Sequence, residues 1–175
     1  MVISDEYRRV QIETHKTNPK WGTSNNQTVP VILDFIKIHQ IKDVLDYGCG
    51  KGMLREYINR QFPDVNVRQY DPCMSGWDEL PEPGDYTICM DVLEHIELEC
   101  LQDVLGDLRR VTDKLGLLSI TTVPARTLLT DGSNPHKIME PLGWWKEKLK
   151  SVFSSVSQIG QSDDGKSKGI FWVAA

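Results

Sequence analysis

"VLDYGCGKGML", residues 44 to 54, decides the fold: an apolar run ends in an aspartate, and three glycines spaced by two follow it. Glycines 48, 50 and 52 let the backbone turn tightly after a short strand, residues 44 to 47, and approach a ligand without side-chain interference. Met53, Leu54, Tyr57 and Ile58 then recur at helical spacing until Pro63 stops them. A nicotinamide-binding loop reads G-x-G-x-x-G and offers a helix N-terminus to pyrophosphate. Here the third glycine comes one residue early, and Asp46 sits where its charge would repel pyrophosphate. A ligand carrying an ammonium and a nearby sulfonium suits that carboxylate.

Outward from this loop, strands and helices alternate. Thr28 and Pro30 open a helix with Val31, Ile32, Phe35 and Ile36 on one side, ending near His39. "VNVRQY", "YTICM" and "GLLSITTV" are three further apolar-rich strands of the kind covered on both faces. Between the last two, Leu98, Leu101, Val104, Leu105, Leu108 and Val111 mark an amphipathic helix opened by Glu97 and Glu99 at its positive end. The pattern predicts an α/β fold, a doubly wound, Rossmann-like sheet that is mostly parallel. At the C-terminus a helix near "PLGWWKEKLK" precedes "FSSVSQIG" and "GIFWVAA", expected to pair as an antiparallel hairpin with "QSDDGKSKG" at its tip.

The 175 residues fit one domain spanning 1 to 175, with no internal repeat or dividing linker. No window approaches the roughly 18 uninterrupted apolar residues of a membrane span, and "SDEYRR" and "HKTNPKWG" lack a signal-peptide core, so a cytoplasmic protein is expected. Cys49, Cys73, Cys89 and Cys100 form no C-x-x-C pair and read as buried thiols. A net charge of −5 argues against wide coverage of duplex phosphates, although a short or single-stranded nucleic acid fits it.

These residues resemble the class I S-adenosylmethionine-dependent methyltransferases, whose first motif has the form D-x-G-x-G-x-G, here Asp46 to Gly52. Asp71, 25 residues after Asp46, matches the family's acidic residue that accepts hydrogen bonds from both ribose hydroxyls, and "DYTICMDVLEHI", residues 85 to 96, resembles its fourth-strand motif. The match covers roughly residues 20 to 125. It implies S-adenosylmethionine as cofactor, held by Asp46, Tyr47, Gly48, Cys49, Gly50, Gly52, Asp71, Pro72 and Asp91, with Cys73, Met74 and Trp77 as further candidates for the adenine wall. Between Asp71 and Asp85 there is no room for the usual helix and third strand, so that edge of the sheet is expected to be abbreviated. "YDP", "LPEPGDYTICMDVLEHIE" and "DGSNPHKIMEPLGWW" look more closely like small bacterial and bacteriophage methyltransferases of undefined substrate. In that group a loop like "WGTSN" precedes the first helix, which implies that Trp21, Gly22, Thr23 and Ser24 fold over the cofactor.

Methyl transfer from a sulfonium is an in-line displacement with an activated leaving group, so alignment supplies most of the rate, and a base or a metal helps when the nucleophile carries a proton. Asp91, Glu94 and His95 at i, i+3 and i+4 share one side of a helical turn, and His136 lies in a loop at the same edge of the sheet. These four residues are the catalytic candidates, and together they are candidate ligands of a divalent ion. The acid-x-x-Glu-His turn with a later histidine is similar to that of the methyltransferases that cap small RNAs on the terminal 2′-hydroxyl, with Asp91 as a shorter first acid. D-V-L-E-H-I is also widespread among methyltransferases of small molecules; without a metal, His95 or His136 is the natural general base.

The expected function is methylation of a small-molecule or sugar-like hydroxyl or amine. A metal-assisted RNA terminal 2′-O-methyltransferase is the alternative. A dinucleotide oxidoreductase and a catalytically silent cofactor-binding partner are more distant rivals. His15 and His39 have no such context and read as solvated. One of Trp144 and Trp145 reads as core, because Trp145 shares a helix face with Leu149, and Lys51, Arg55 and Arg60 read as a wet helix face.

Overall fold

The computed structural model describes residues 2–23 and 28–175. Ser24, expected to cover the cofactor, lies outside the described residues. Six strands form one sheet in the order β2-β1-β3-β4-β6-β5: β1 Asp43–Tyr47, β2 Asn66–Tyr70, β3 Gly84–Met90, β4 Thr112–Thr121, β5 Ser155–Gln161 and β6 Lys168–Ala174. The first four run parallel, whereas β6 is antiparallel to both β4 and β5. The helices are α1 Asp5–Thr17, α2 Val29–His39, α3 Met53–Gln61, α4 Leu101–Arg110 and α5 Leu142–Lys150.

Successive strand residues point to opposite faces, which is why the central strands are apolar throughout. Val44, Ile88 and Leu117 face the layer holding Ile32, Phe35 and Ile36 of α2 and Leu54 and Ile58 of α3. Their neighbours Leu45, Cys89 and Leu118 face Leu105 and Leu108 of α4 and Trp145 and Leu149 of α5. Trp145 is fully buried while Trp144 stays half-buried under Lys148. All four cysteines are free and buried.

The segment between β2 and β3, residues 71–83, carries neither helix nor strand, so β2 is the sheet edge and the expected abbreviation is present. From β1 the chain crosses by α3 to β2 on one side, then returns to place β3 on the other side of β1. Ligands bind at such a reversal, in the crevice beyond the carboxyl ends of the strands.

Three details differ from the sequence pattern. α1 was not expected; its only buried side chains are Tyr7, Gln11 and Thr14, a polar stripe that hydrophobic periodicity does not register. Leu98 is exposed, because residues 98 to 100 form a 3-10 turn whose tighter winding takes it off the α4 stripe. His39 is not solvated: it packs edge-on against Phe35 and Trp172. No helix among the described residues is long and apolar enough to cross a membrane.

Candidate active site

The glycine turn is tied to β2 by two hydrogen bonds, the backbone N–H groups of Gly48 and Cys49 donating to the Tyr70 carbonyl at 2.8 and 3.0 Å. Asp71 continues this clamp. Its Oδ2 accepts from Gly50 N–H and its Oδ1 from Cys73 N–H, both at 2.9 Å. Beside them opens a cavity of about 340 Å³, within the size range of small-molecule sites.

Asp46 faces the cavity only 4% exposed, and its Oδ2 has no partner among the described residues. Burial, then the charge of Asp71, pushes its carboxyl up to about 7. Two acids held close in a dry pocket favour a cationic ligand. Gly48, Gly50, Pro72, Cys73, Thr23 and Asp91 also line the cavity. Tyr47 reaches the wall too, but its hydroxyl turns away to donate to Asp107 at 2.9 Å. Cys49 lies in the wall, where burial raises its thiol far above the ordinary range. Gly52 stands off the cavity, against Trp77 and Gln69, and neither Trp77 nor Met74 is part of the lining.

The roof comes from the N-terminal segment. Gly50 has a φ of 52°, and a side chain there would run into the backbone of Gly22, so both the turn and the contact require glycine. Lys51 N–H donates to the Gly22 carbonyl at 2.7 Å and Lys51 Nζ to the Asn18 carbonyl at 2.7 Å. Lys51 therefore fastens the roof, whereas Arg55 and Arg60 are exposed.

Within α1 a buried relay runs sideways: Trp21 Nε1 donates to Gln11 Oε1 at 3.0 Å, Gln11 Nε2 to Tyr7 Oη at 2.7 Å, and Tyr7 Oη to the Pro135 carbonyl at 3.3 Å. His15 also corrects the sequence expectation. It lines the cavity edge-on to Trp21, its Nδ1 is buried without a partner, and burial lowers its basicity.

The acceptor end is built where β3 stops. Asp91 takes a left-handed backbone, φ 55°, that turns the chain into a short 3-10 helix, Leu93–His95. Glu94 is completely buried, and its Oε1 accepts Thr121 N–H at 2.9 Å. The Glu94 carbonyl accepts the N–H groups of Lys137 and Ile138 at 2.7 and 3.1 Å. These bonds carry His136 to His95, with ring centroids 4.8 Å apart and planes at 89°.

Glu94, His95 and His136 each offer one ligand atom within 4.8 Å of the others. Two buried atoms, Glu94 Oε2 and His95 Nδ1, have no partner among the described residues, a costly arrangement unless something else binds them. His136 Nδ1 lies 2.5 Å from the Val123 carbonyl, so Nδ1 carries a hydrogen and Nε2 is the ring nitrogen left to face a ligand. Two imidazoles and one carboxylate are a ligand set that fits a divalent ion with open positions.

Burial, then Asp91, pushes the Glu94 carboxyl up to about 8; burial, then His136, holds His95 down at about 3. His95 is half-buried and opens on the cavity. Asp91, expected among the ion ligands, is engaged elsewhere: Oδ2 pairs with Lys168 Nζ at 2.6 Å, and Oδ1 accepts from Ser119 Oγ at 2.9 Å. Lys168 gave no signal in the sequence, where "KSKG" reads as a hairpin tip.

No family model matches the chain. The mitochondrial ubiquinone biosynthesis O-methyltransferase of Schizosaccharomyces pombe is 30% identical over 112 residues, covering 50% of this chain. The chain spans 40% of that relative's length. Among solved structures, 1,6-didemethyltoxoflavin-N1-methyltransferase of Burkholderia thailandensis, with bound 1,6-didemethyltoxoflavin and S-adenosylhomocysteine, superposes with a TM-score of 0.64 at 13% identity over 99% of this chain and 91% of that one. The methyltransferase domain of bacterial CtHen1 gives a TM-score of 0.62 at 19% identity over 85% and 96%. An O-methyltransferase family protein from Burkholderia thailandensis gives 0.60 at 13% over 95% and 58%.

Proposed function

We propose, from the class I S-adenosylmethionine-dependent methyltransferase fold that this chain adopts, that it transfers a methyl group from S-adenosylmethionine to a hydroxyl held at Glu94, His95 and His136. The observation that carries this reading is the pair of buried, unpartnered donors, Glu94 Oε2 and His95 Nδ1, beside His136 and the cavity. A divalent ion held by these three residues would supply Lewis acidity to an acceptor hydroxyl and a second point of attachment for a neighbouring oxygen. A terminal ribose of RNA offers such a pair of hydroxyls, and the resemblance of the acid-x-x-Glu-His turn to the small-RNA 2′-O-methyltransferases favours it as the acceptor class.

The chain's own residues have separable tasks. Asp46 supplies negative charge to the cofactor's ammonium and sulfonium end. Asp71 accepts one backbone hydrogen bond on each oxygen, and a carboxylate's roughly four lone-pair sites leave capacity for ribose hydroxyls. Trp21 and Gly22 exclude water from above, and Pro72 and Cys73 close the side. Alignment of this kind is worth about 7–11 kcal/mol of the barrier. His136 Nε2 and His95 Nδ1 are the ring nitrogens left to hold the ion, and the depressed basicity of His95 keeps it neutral at physiological pH.

A second reading, a small-molecule hydroxyl or amine methylated with histidine as base and no ion, is favoured by the net charge of −5 and by the roof that α1 sets over the cavity. Transfer of label from S-adenosylmethionine into short RNA, metabolites, glycans and protein, with and without chelator, separates the two. Label entering RNA and abolished by chelator supports the first; label entering metabolites regardless of chelator supports the second. On the first reading His136→Ala removes one of the three ligands of the ion and lowers kcat by about a hundredfold or more, and chelator adds nothing further. Cofactor binding with no label in any pool would instead indicate a silent binding partner.

A further inference from the structure

Asp91 is the first acid of the acid-x-x-Glu-His turn, yet its carboxylate does not join the cluster that follows it. Its carboxylate hydrogen bonds among the described residues come from the other side. Lys168 Nζ takes Oδ2 at 2.6 Å, Ser119 Oγ donates to Oδ1 at 2.9 Å, and Thr121 Oγ1 lies 3.4 Å from Oδ1. The ion pair is largely covered, with side-chain exposures of 19% and 25%, so solvent screens it less than a surface pair.

Its origin is topological. Lys168 opens β6, directly opposite Thr121 in the antiparallel register with β4, and Thr121 is the residue whose N–H holds Glu94. One cross-strand pair therefore fixes both acids, Glu94 inward through the backbone and Asp91 sideways through the lysine.

On the reading that Glu94, His95 and His136 hold a divalent ion, we infer that Lys168 sets the ligand number: it keeps Asp91 out of the ion's coordination shell, leaving three protein ligands and the remaining positions open to the acceptor. With the ammonium removed, Asp91 is free to turn toward the cluster and become a fourth ligand. An added carboxylate and a lost positive charge both tighten cation binding, while a position needed by the acceptor is filled. Lys168 is thus a positioning residue, acting through Asp91.

The test is a double-mutant cycle of Lys168→Met and Asp91→Asn, read by calorimetric binding of Mn²⁺ and by the visible absorption of bound Co²⁺, in the full chain with S-adenosylhomocysteine present. Expected is a Lys168→Met protein that binds Mn²⁺ roughly tenfold or more tightly, since the count of charged ligands tunes a site's affinity over decades, with a Co²⁺ spectrum altered by the extra carboxylate. Asp91→Asn should reverse both changes in that background, yet leave the Co²⁺ spectrum of the otherwise unchanged protein as it was. Lys168→Arg, which keeps the ion pair, should retain the original spectrum and show that the sheet still folds around this position.

Equal effects of Asp91→Asn in both backgrounds would overturn the inference while leaving an ion at the three residues. Binding of Mn²⁺ only after Lys168→Met would overturn the metal reading of the function and support the role of Lys168. No binding to either protein would overturn both.

Discussion

Asp46 shows how much chemistry one buried carboxylate can carry. Only 4% exposed and next to Asp71, it holds its proton up to about 7 instead of near 4. A cationic ligand binds the deprotonated form, so below pH 7 cofactor binding must first displace a proton, and above it that cost vanishes. The affinity for S-adenosylmethionine is therefore expected to rise by up to about tenfold per unit between pH 6 and 7 and to level off above, with proton release visible as buffer-dependent binding heat. Asp46→Asn should bind more weakly and without the slope. A slope unchanged in Asp46→Asn would assign it to another group.

At the level of elements, α1 binds the two halves of the site together although it lies outside the sheet. Ser4 caps it and is itself held by Glu97, through N–H to Oε2 at 2.9 Å and Oγ to Oε1 at 2.7 Å, so Glu97 ties the helix start to the turn after His95. Arg8 Nε donates to the Pro72 carbonyl at 2.7 Å, and Tyr7 reaches Pro135 next to His136. The relay from Trp21 through Gln11 to Tyr7 is the inner seam, and Trp21 stands edge-on to His95 at 5.6 Å. Gln11→Leu would leave the Trp21 N–H without its acceptor and Tyr7 without a donor, at a cost of about 1–3 kcal/mol. Expected are a lower Tm and cofactor release faster by about tenfold, since 1.4 kcal/mol corresponds to a factor of ten. Stopped-flow release measured against Trp21→Phe, which keeps an aromatic ring, though a smaller one, and loses the N–H, should give similar rates if the relay fastens the roof. Release unchanged in both variants would make α1 a static cover.

Across the whole molecule, the site's buried charges oppose the stability of the fold that creates them. Glu94 and Asp46 keep protons in the folded chain up to about 8 and about 7 that the unfolded chain loses near pH 4. Their contribution to stability is complete below that range and is lost as pH rises through the folded values. His95, held down at about 3, acts oppositely: the folded chain lacks a proton that the unfolded chain gains below about 6.5, so stability falls with acidification there. Above pH 6.5 only the carboxylates act, and the Tm of the metal-free protein is expected to fall between pH 6.5 and 8. Glu94→Gln should flatten that slope, and a divalent ion should reverse it by favouring the ionised carboxylate; scanning calorimetry across the range checks both. The alternating strands and helices, the glycine turn behind Asp46, the abbreviated edge after Asp71 and the antiparallel C-terminal hairpin were legible in the amino-acid order, because periodicity, glycine spacing and connection length are local properties that the chain displays before it folds. That order also marked Asp91, Glu94, His95 and His136 as one group, by the i, i+3, i+4 spacing of the first three and the place of the fourth at the same edge of the sheet. Packing of the folded chain, and nothing local, makes His15, Tyr7 and Gln11 of α1 roof the cavity, turns Asp91 from its neighbours to Lys168, and brings the turn after β3 to the loop carrying His136. Those relations join residues 77 and 128 positions apart, as Asp91 with Lys168 and Tyr7 with Pro135, and a hydrogen bond across such a separation depends on sheet register and on packing that no short stretch encodes.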